Sequence, residues 1–329
     1  MRKWLIAGLL VLMFPWILSL IWMRAAGVNG KTAETESMDE TVNAEYMEGA
    51  ISPQRRILVE RDGIHTYMEL EDYLPGIVLG QAEVGMETEA LKCQAVVART
   101  YICRMMEGRT EIGEEELDLT YPGDFDAGII LGTGNRDRLM SELQRCEEAV
   151  QATCGIVMQH EDRCILPLFH RISAGRTRKG DAEFPYLQAV ESSRDAEAEG
   201  YLTEMEWSVS EFEKRIQGIS ADALASMEAW SAETLARQIQ IIKKDDSGYV
   251  EQIKIGPKSY TGDEVQYALG LPSGCYSLRL ENGRVHAGAK GAGHGYGLSQ
   301  AGARAMARAG WHYEEILHYY YKNISLVSE

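Results

Sequence analysis

Three segments of this sequence carry the residue types that acid–base and carbohydrate chemistry use. The first, YLPGIVLGQAEVGMETEALKCQAVVARTY, spans residues 73–101. Glu83 lies in it just ahead of a long helical stretch, in a glycine-containing connection. A carboxyl at such a junction can face a cleft while the scaffold behind it fixes its position. Lys92, Gln94 and Arg99 follow on the helix and offer hydrogen-bond donors. Spacing alone does not separate Glu83 from the many solvated carboxylates of an acidic chain. The second segment, LFHRISAGRTRKG, spans residues 168–180 and presents His170, Ser173, Gly175 and Thr177 after an apolar run. Gly175 would let backbone N–H groups approach a ligand. His170 and Ser173 invite a nucleophile–base reading, but the nucleophile-elbow signature is absent. A serine that caps a loop is the commoner use. The third segment, GAKGAGHGYGLSQAGARAMARAG, spans residues 288–310. It has neither the G-x-x-x-x-G-K-[ST] order nor the βαβ setting of a phosphate loop. His294, Gly295, Ser299 and Gln300 either line a groove for a polar polymer or belong to a tight turn around a satisfied histidine. Both readings stay open.

Metal and redox chemistry find little support. His160, Cys164 and His170, with Cys146 and Cys154 upstream, fit no tight zinc spacing, so no metal and no cofactor is expected. No pair among the six cysteines has CxxC spacing, and mostly buried free thiols are expected. The formal net charge of −17 argues against nucleic acid as a partner, because binding phosphates needs a basic face.

The elements that would position these residues follow from periodicity and turn chemistry. Trp4–Met23 form a nearly unbroken apolar run of the length that crosses a bilayer core. Arg2 and Lys3 ahead of it place the N-terminus in the cytoplasm and the rest of the chain outside. A membrane anchor over residues 1–26 is therefore expected in preference to a cleaved signal peptide, whose apolar region is shorter. Residues 27–52 are acidic and poor in large aliphatics, as in a flexible stalk, and residues 53–329 form the remaining unit. Within it, Ile57–Glu60 and His65–Leu70 read as strands around Asp62-Gly63. Residues Leu70–Gly80 and Thr88–Met106 read as helices, the second with Leu91, Ala95, Ala98 and Ile102 as its buried stripe. Leu139–Ala152, Ser210–Ile219, Ala221–Gln238, Ser299–Ala309 and Tyr313–Lys322 read as further helices. Ile156–His160 with Ile165–His170 reads as a hairpin, and Tyr249–Gly256 and Cys275–Glu281 as strands. Segregated helices and hairpins point to an α+β fold behind a single N-terminal transmembrane helix.

Taken together, the blocks resemble the SpoIID/LytB family. They are Tyr73-Leu74-Pro75-Gly76-Ile77-Val78, then Glu83, then Glu89-Ala90-Leu91-Lys92-Cys93-Gln94-Ala95-Val96-Val97-Ala98-Arg99-Thr100-Tyr101, then Pro185-Tyr186-Leu187, then Gly293-His294-Gly295-Tyr296-Gly297-Leu298-Ser299-Gln300-Ala301-Gly302-Ala303. They fall in family order between Ile57 and Ser325. The resemblance implies a SpoIID-like groove and a lytic transglycosylase that cuts peptide-stripped peptidoglycan strands during sporulation engulfment, with Glu83 as the catalytic residue. It implies glycan contacts from Lys92, Gln94, Arg99, His170, Ser173, Gly175, Thr177, His294, Gly295, Ser299 and Gln300. It also implies a SpoIIP-like amidase and a SpoIIM-like scaffold as partners, at the cell membrane with the catalytic part outside. The alternative within the family is a glycan-binding amidase enhancer of the LytB type without catalysis. Three departures stand out. Residues 107–135 hold neither His nor Cys, so the zinc cluster of some clostridial relatives is not expected. Gly85 stands where the family has Pro. The family's His-Ser-x-Ser-Gly-Gly loop appears as His170-Arg171-Ile172-Ser173-Ala174-Gly175.

Overall fold

The computed structural model describes residues 55–61, 63–118, 136–219, 238–256 and 258–329. A hairpin of β1 (Arg56–Arg61) and β2 (Ile64–Glu69) opens the fold, with Ile57 opposite Met68 and Val59 opposite Thr66. Alternate side chains of a strand share a face, and Ile57 and Val59 are the buried pair of β1. Helix α1 (Leu70–Gln81) follows directly and buries Tyr73, Leu74, Ile77 and Val78 along one side. Helix α2 (Thr88–Met106) is the central element, and Leu91, Ala95, Ala98 and Ile102 are all buried in it. A helix apolar around most of its circumference lies inside a domain. Its N-cap is Glu87. The helix ends where Glu107 and Gly108 take left-handed backbone at φ 49° and 84°.

Strand β3 (Glu111–Gly113) adds to β1 in parallel, and α3 (Arg136–Ala152) packs against α1 and α2. Strand β4 (Ile156–His160) turns through Glu161 and Asp162, both at positive φ, into β5 (Arg163–Cys164). The strand expected over 165–170 is therefore split. Pro167 has no N–H to give a ladder, and the chain leaves the sheet to re-form β6 (Phe169–His170) elsewhere.

A second hydrophobic centre then interrupts the first. Strand β7 (Leu202–Ser208) leads into α4 (Val209–Gln217), where Ser208 and Glu211 cap each other's backbone N–H groups. Strands β8 (Ile239–Lys244), β9 (Val250–Ile255) and β10 (Lys258–Thr261) form one antiparallel sheet, followed by α5 (Gly262–Leu269). Strands β11 (Tyr276–Glu281) and β12 (Arg284–Lys290) join β7 in another. Their turn at Asn282-Gly283 has φ 50° and 74°, as a tight two-residue hairpin requires. Trp207, Phe212, Ile253, Val265, Leu269 and Val285 fill this core. The helix expected over 221–238 falls outside the described residues except for its last position.

The chain then returns to the first centre. Strand β13 (Leu298–Ser299) pairs in parallel with β6, α6 (Gln300–Arg308) and α7 (Tyr313–Tyr320) pack on α2, and β14 (Ser325–Ser328) pairs with β4. All six cysteines are free thiols. The described residues thus form an α+β arrangement with seven α-helices. The expected architecture needs one correction. No helix among the described residues is long and apolar enough to cross a membrane. The 19-residue α2 has the length but carries Glu89, Lys92, Arg99 and Arg104. The apolar run Trp4–Met23 and the acidic stretch 27–52 lie outside the described residues.

Candidate active site

After α1 the chain straightens at Ala82, and Glu83 starts a tight turn in which Met86 N–H donates to the Glu83 carbonyl at 3.1 Å. The turn is pinned from below by the Met86 side chain, which is buried in the core. Gly85 takes φ 77° within it. That left-handed geometry suits the glycine this chain has there and is closed to the proline of the family pattern. The Glu83 side chain is 34% exposed. Its two oxygens are engaged separately: Arg171 Nε donates to Oε1 at 3.1 Å and Arg304 Nη1 donates to Oε2 at 3.2 Å. One residue from each of the three chemistry-bearing segments meets at this point. Arg304 also donates to Glu87 Oε2 at 2.9 Å, and Arg308 pairs with the other Glu87 oxygen.

The frame behind this contact is rigid. Parallel pairing of β6 with β13 sets Ser299 beside His170, so Arg171 leaves the strand next to the start of α6. Ala301 N–H donates to the Arg171 carbonyl at 3.0 Å. Ser299 caps α6 by accepting from Gly302 N–H at 3.2 Å. Gly302 has no room for a side chain, since a Cβ would run into the hydroxyls of Tyr320 and Ser192. Three glutamines lock the other side. Gln94 Nε2 donates to Gln81 Oε1 at 2.8 Å, and Gln300 Nε2 donates to the Gln81 carbonyl at 2.7 Å and to Gln94 Oε1 at 3.2 Å. Gln81 is two residues from Glu83, so this buried network fixes the end of α1 from which the carboxyl is presented.

Behind the arginines lie two further polar clusters. Asp195 is fully buried and accepts from Ser173 N–H at 2.7 Å, Ser299 Oγ at 2.6 Å and Ser192 Oγ at 2.9 Å. Burial pushes its carboxyl up, and these donors oppose that rise. His170 is fully buried, its Nδ1 is 3.0 Å from the Tyr296 carbonyl, and its Nε2 has no hydrogen-bond partner among the described residues. Burial, with His294 beside it, lowers its pKa to about 3. The His294 ring lies 5.7 Å away, with Nδ1 accepting from Tyr296 N–H, and burial lowers that residue to about 4. Both rings are therefore neutral near pH 7.

The twelve residues singled out in the sequence fall into distinct places. Glu83 offers a partly exposed carboxyl held between two arginines. Gln94 holds the Gln81 side chain and Gln300 the Gln81 carbonyl, two residues before it. Ser173, Ser299 and the histidine pair stand behind it in the buried frame. Gly175 donates its N–H to Ser173 Oγ, and its carbonyl accepts from Ser192 N–H. Thr177 Oγ1 bridges Gln188 and Val190, and the Gly295 carbonyl accepts from Arg178 N–H at 2.8 Å. Two residues make their polar contacts elsewhere. Lys92 pairs with Glu89 at 2.7 Å and lies over the Tyr313 ring. Arg99 is 1% exposed and gripped by both Glu71 oxygens at 2.7 Å. Arg171, Arg304, Gln81 and Asp195 were not singled out. Arg171 carries a signal in hindsight, as a cation within the His170–Gly175 loop; the others offer none in a single sequence.

Known proteins bear on this arrangement. Residues 61–160 match the SpoIID family, described as Stage II sporulation protein. The chain is 29% identical to the Stage II sporulation protein D of Bacillus amyloliquefaciens over 98% of its own length and 94% of that protein. It is 26% identical to the Stage II sporulation protein D of Bacillus subtilis strain 168, over 78% of the chain and 74% of that protein. It is also 24% identical to the amidase enhancer of Bacillus subtilis strain 168, over 78% of the chain and 40% of that protein.

Proposed function

This chain belongs to the SpoIID family of sporulation proteins, and from that premise we propose that it is a peptidoglycan lytic transglycosylase with Glu83 as its acid–base group. The observation that carries the reading is the meeting of Arg171 and Arg304 on a single, partly exposed Glu83 carboxyl. Ordinary glycosidases need a second carboxyl as nucleophile or water activator. A transglycosylase takes its nucleophile from the substrate. Glu83 gives a proton to the glycosidic oxygen as the C1–O bond breaks. The muramic acid 6-hydroxyl then closes on C1, and its proton returns to Glu83. The product ends in 1,6-anhydro-muramic acid, and no water is consumed. Between the two steps the carboxyl is an anion, and two guanidiniums held by a rigid frame are placed to stabilise it. We place this action at the cell wall in sporulation, on strands whose stem peptides a SpoIIP-like amidase has removed, with a SpoIIM-like scaffold as a further partner.

The test is incubation of the full chain with peptide-free glycan strands, with product ends read by mass spectrometry. Anhydro ends are expected, falling by about 10²–10⁴-fold in Glu83→Gln, the range for loss of a general acid. Ordinary reducing ends would mean hydrolysis and overturn the transglycosylase chemistry. The second reading, a glycan-binding amidase enhancer without catalysis, draws on the similarity to the amidase enhancer. It predicts no cleavage, retention of strands by both proteins, and faster release of stem peptides when the chain is added to an amidase.

A further inference from the structure

Arg171 is held differently from Arg304. Arg304 is shared between two carboxylates, Glu83 and Glu87, and is 27% exposed. Arg171 is 39% exposed and bonds Glu83 through Nε alone. Nη1 and Nη2 of Arg171 make no hydrogen bond within the described residues. Its backbone, in contrast, is fixed. Ala301 N–H holds the Arg171 carbonyl, while Ile172 is buried and exchanges two backbone hydrogen bonds with Ala292 at 3.0 and 2.7 Å. The result is a guanidinium on a hydrogen-bonded backbone, with its two-pronged edge open and only a single-point tie to the catalytic carboxyl. Guanidinium prefers a carboxylate that meets it with both oxygens, and a single exposed ion pair is weak enough to exchange.

We propose that Arg171 is a specificity residue that recognises a substrate carboxylate and, in turning to it, releases Oε1 of Glu83, which then takes up a proton from solvent and delivers it to the glycosidic oxygen. The proposal rests on the transglycosylase reading above. On a peptide-free strand each muramic acid ends in a free lactyl carboxylate, whereas a strand that keeps its peptides has that carboxyl tied up as an amide. Arg171 thereby couples choice of strand to release of the acid–base group: no anion, no exchange of partners, and a Glu83 that stays clamped.

The experiment compares peptide-free strands with the same strands after their carboxylates have been reduced to alcohols. The full chain is expected to cleave the carboxylate strands with at least tenfold higher kcat/KM. Arg171→Ala should bring the ratio to within threefold of unity, and Arg171→Lys, which keeps charge but loses the fork, should fall between. A wild-type ratio near unity, or a wild-type ratio retained in Arg171→Ala, overturns the proposal. If no protein cleaves either strand, co-sedimentation Kd values are read for the same pairs. A wild-type preference that Arg171→Ala abolishes then supports carboxylate recognition while the enzyme reading fails, and equal Kd values overturn both.

Discussion

A neutral imidazole in a protein interior is a proton-binding site that folding has switched off. His170 and His294 are depressed to about 3 and about 4, chiefly by burial. An unfolded histidine titrates near 6.5. Below that pH the unfolded chain therefore takes up protons that the folded chain refuses, so the stabilisation is fully present above about 6.5 and is lost as pH falls toward the folded values. Each such proton is worth about 1.4 kcal/mol per pH unit. Asn in place of His170 can still donate to the Tyr296 carbonyl but does not titrate. His170→Asn is thus expected to lose about 2 kcal/mol less stability than the parent between pH 7 and pH 4.5, read as urea midpoints at the two pH values. Equal losses would mean that the imidazole is not held neutral. The same residues show how far the site was legible. His170, Ser173, His294 and Ser299 stood out by type, but type does not say whether a side chain faces substrate or packs in a frame. Glu83 could be weighed only by resemblance, because its two partners lie 88 and 221 residues away. Arg99 shows the converse, since a buried guanidinium with every contact inside the protein has the same letter as one that reaches a ligand.

Elements with a strong local signal were legible and those made by distant pairing were not. Helix α2 could be placed end to end because its apolar stripe, its acidic first turn and Gly108 agree with one another. Strands β6 and β13 are two residues each and exist only through each other, so nothing local announces them. Strand β7 does alternate, with Thr203, Met205 and Trp207 turned inward against Glu204 and Glu206. A run that short with threonine and two glutamates gives a weak apolar pattern. The hold of α6 on the site comes down to Gly302, which lies against Tyr320 and Ser192. Gly302→Ala is expected to cost about 2 kcal/mol or more, as overpacking does in a fixed frame. Gly76 in α1 is the natural comparison, since a Cβ there meets nothing within 4 Å. Gly76→Ala should leave stability unchanged or raise it by about 0.5–1 kcal/mol through the unfolded chain. Urea midpoints of the two variants that move in the same direction would refute the steric account.

At the scale of the molecule, the chain winds two hydrophobic centres and returns to the first, and Arg178 is the joint between them. It is 8% exposed and donates from Nε to Asp245 Oδ2 at 2.8 Å. Its guanidinium carbon sits 5.0 Å from the Tyr249 ring centre and 4.6 Å from that of Tyr296, one aromatic on each side of the junction. Its own N–H donates to Gly295, and nearby Ala174 N–H donates to the Tyr249 hydroxyl at 3.1 Å while Ser247 Oγ donates to the Thr177 carbonyl at 2.6 Å. These contacts tie the glycine-rich loop, which leads straight into β13 and α6, to the second centre. That centre therefore bears on the Glu83 site without contributing a residue to it. Replacing one partner of a largely buried ion pair leaves the other charge uncompensated, which costs about 3–5 kcal/mol. In this chain the loss falls on the joint and on neither core. Arg178→Met, which keeps the length and apolar bulk of the side chain, is expected to split one cooperative urea transition into two. Trp207 lies in the second core, so in a background where the other five tryptophans are replaced by phenylalanine its fluorescence should change at a different urea concentration from the helical far-UV signal, to which α1, α2 and α3 of the first centre contribute. Coincident transitions in both the parent and the variant would mean that the two centres are bound by more than this arginine, and that its role is confined to the Gly295 loop.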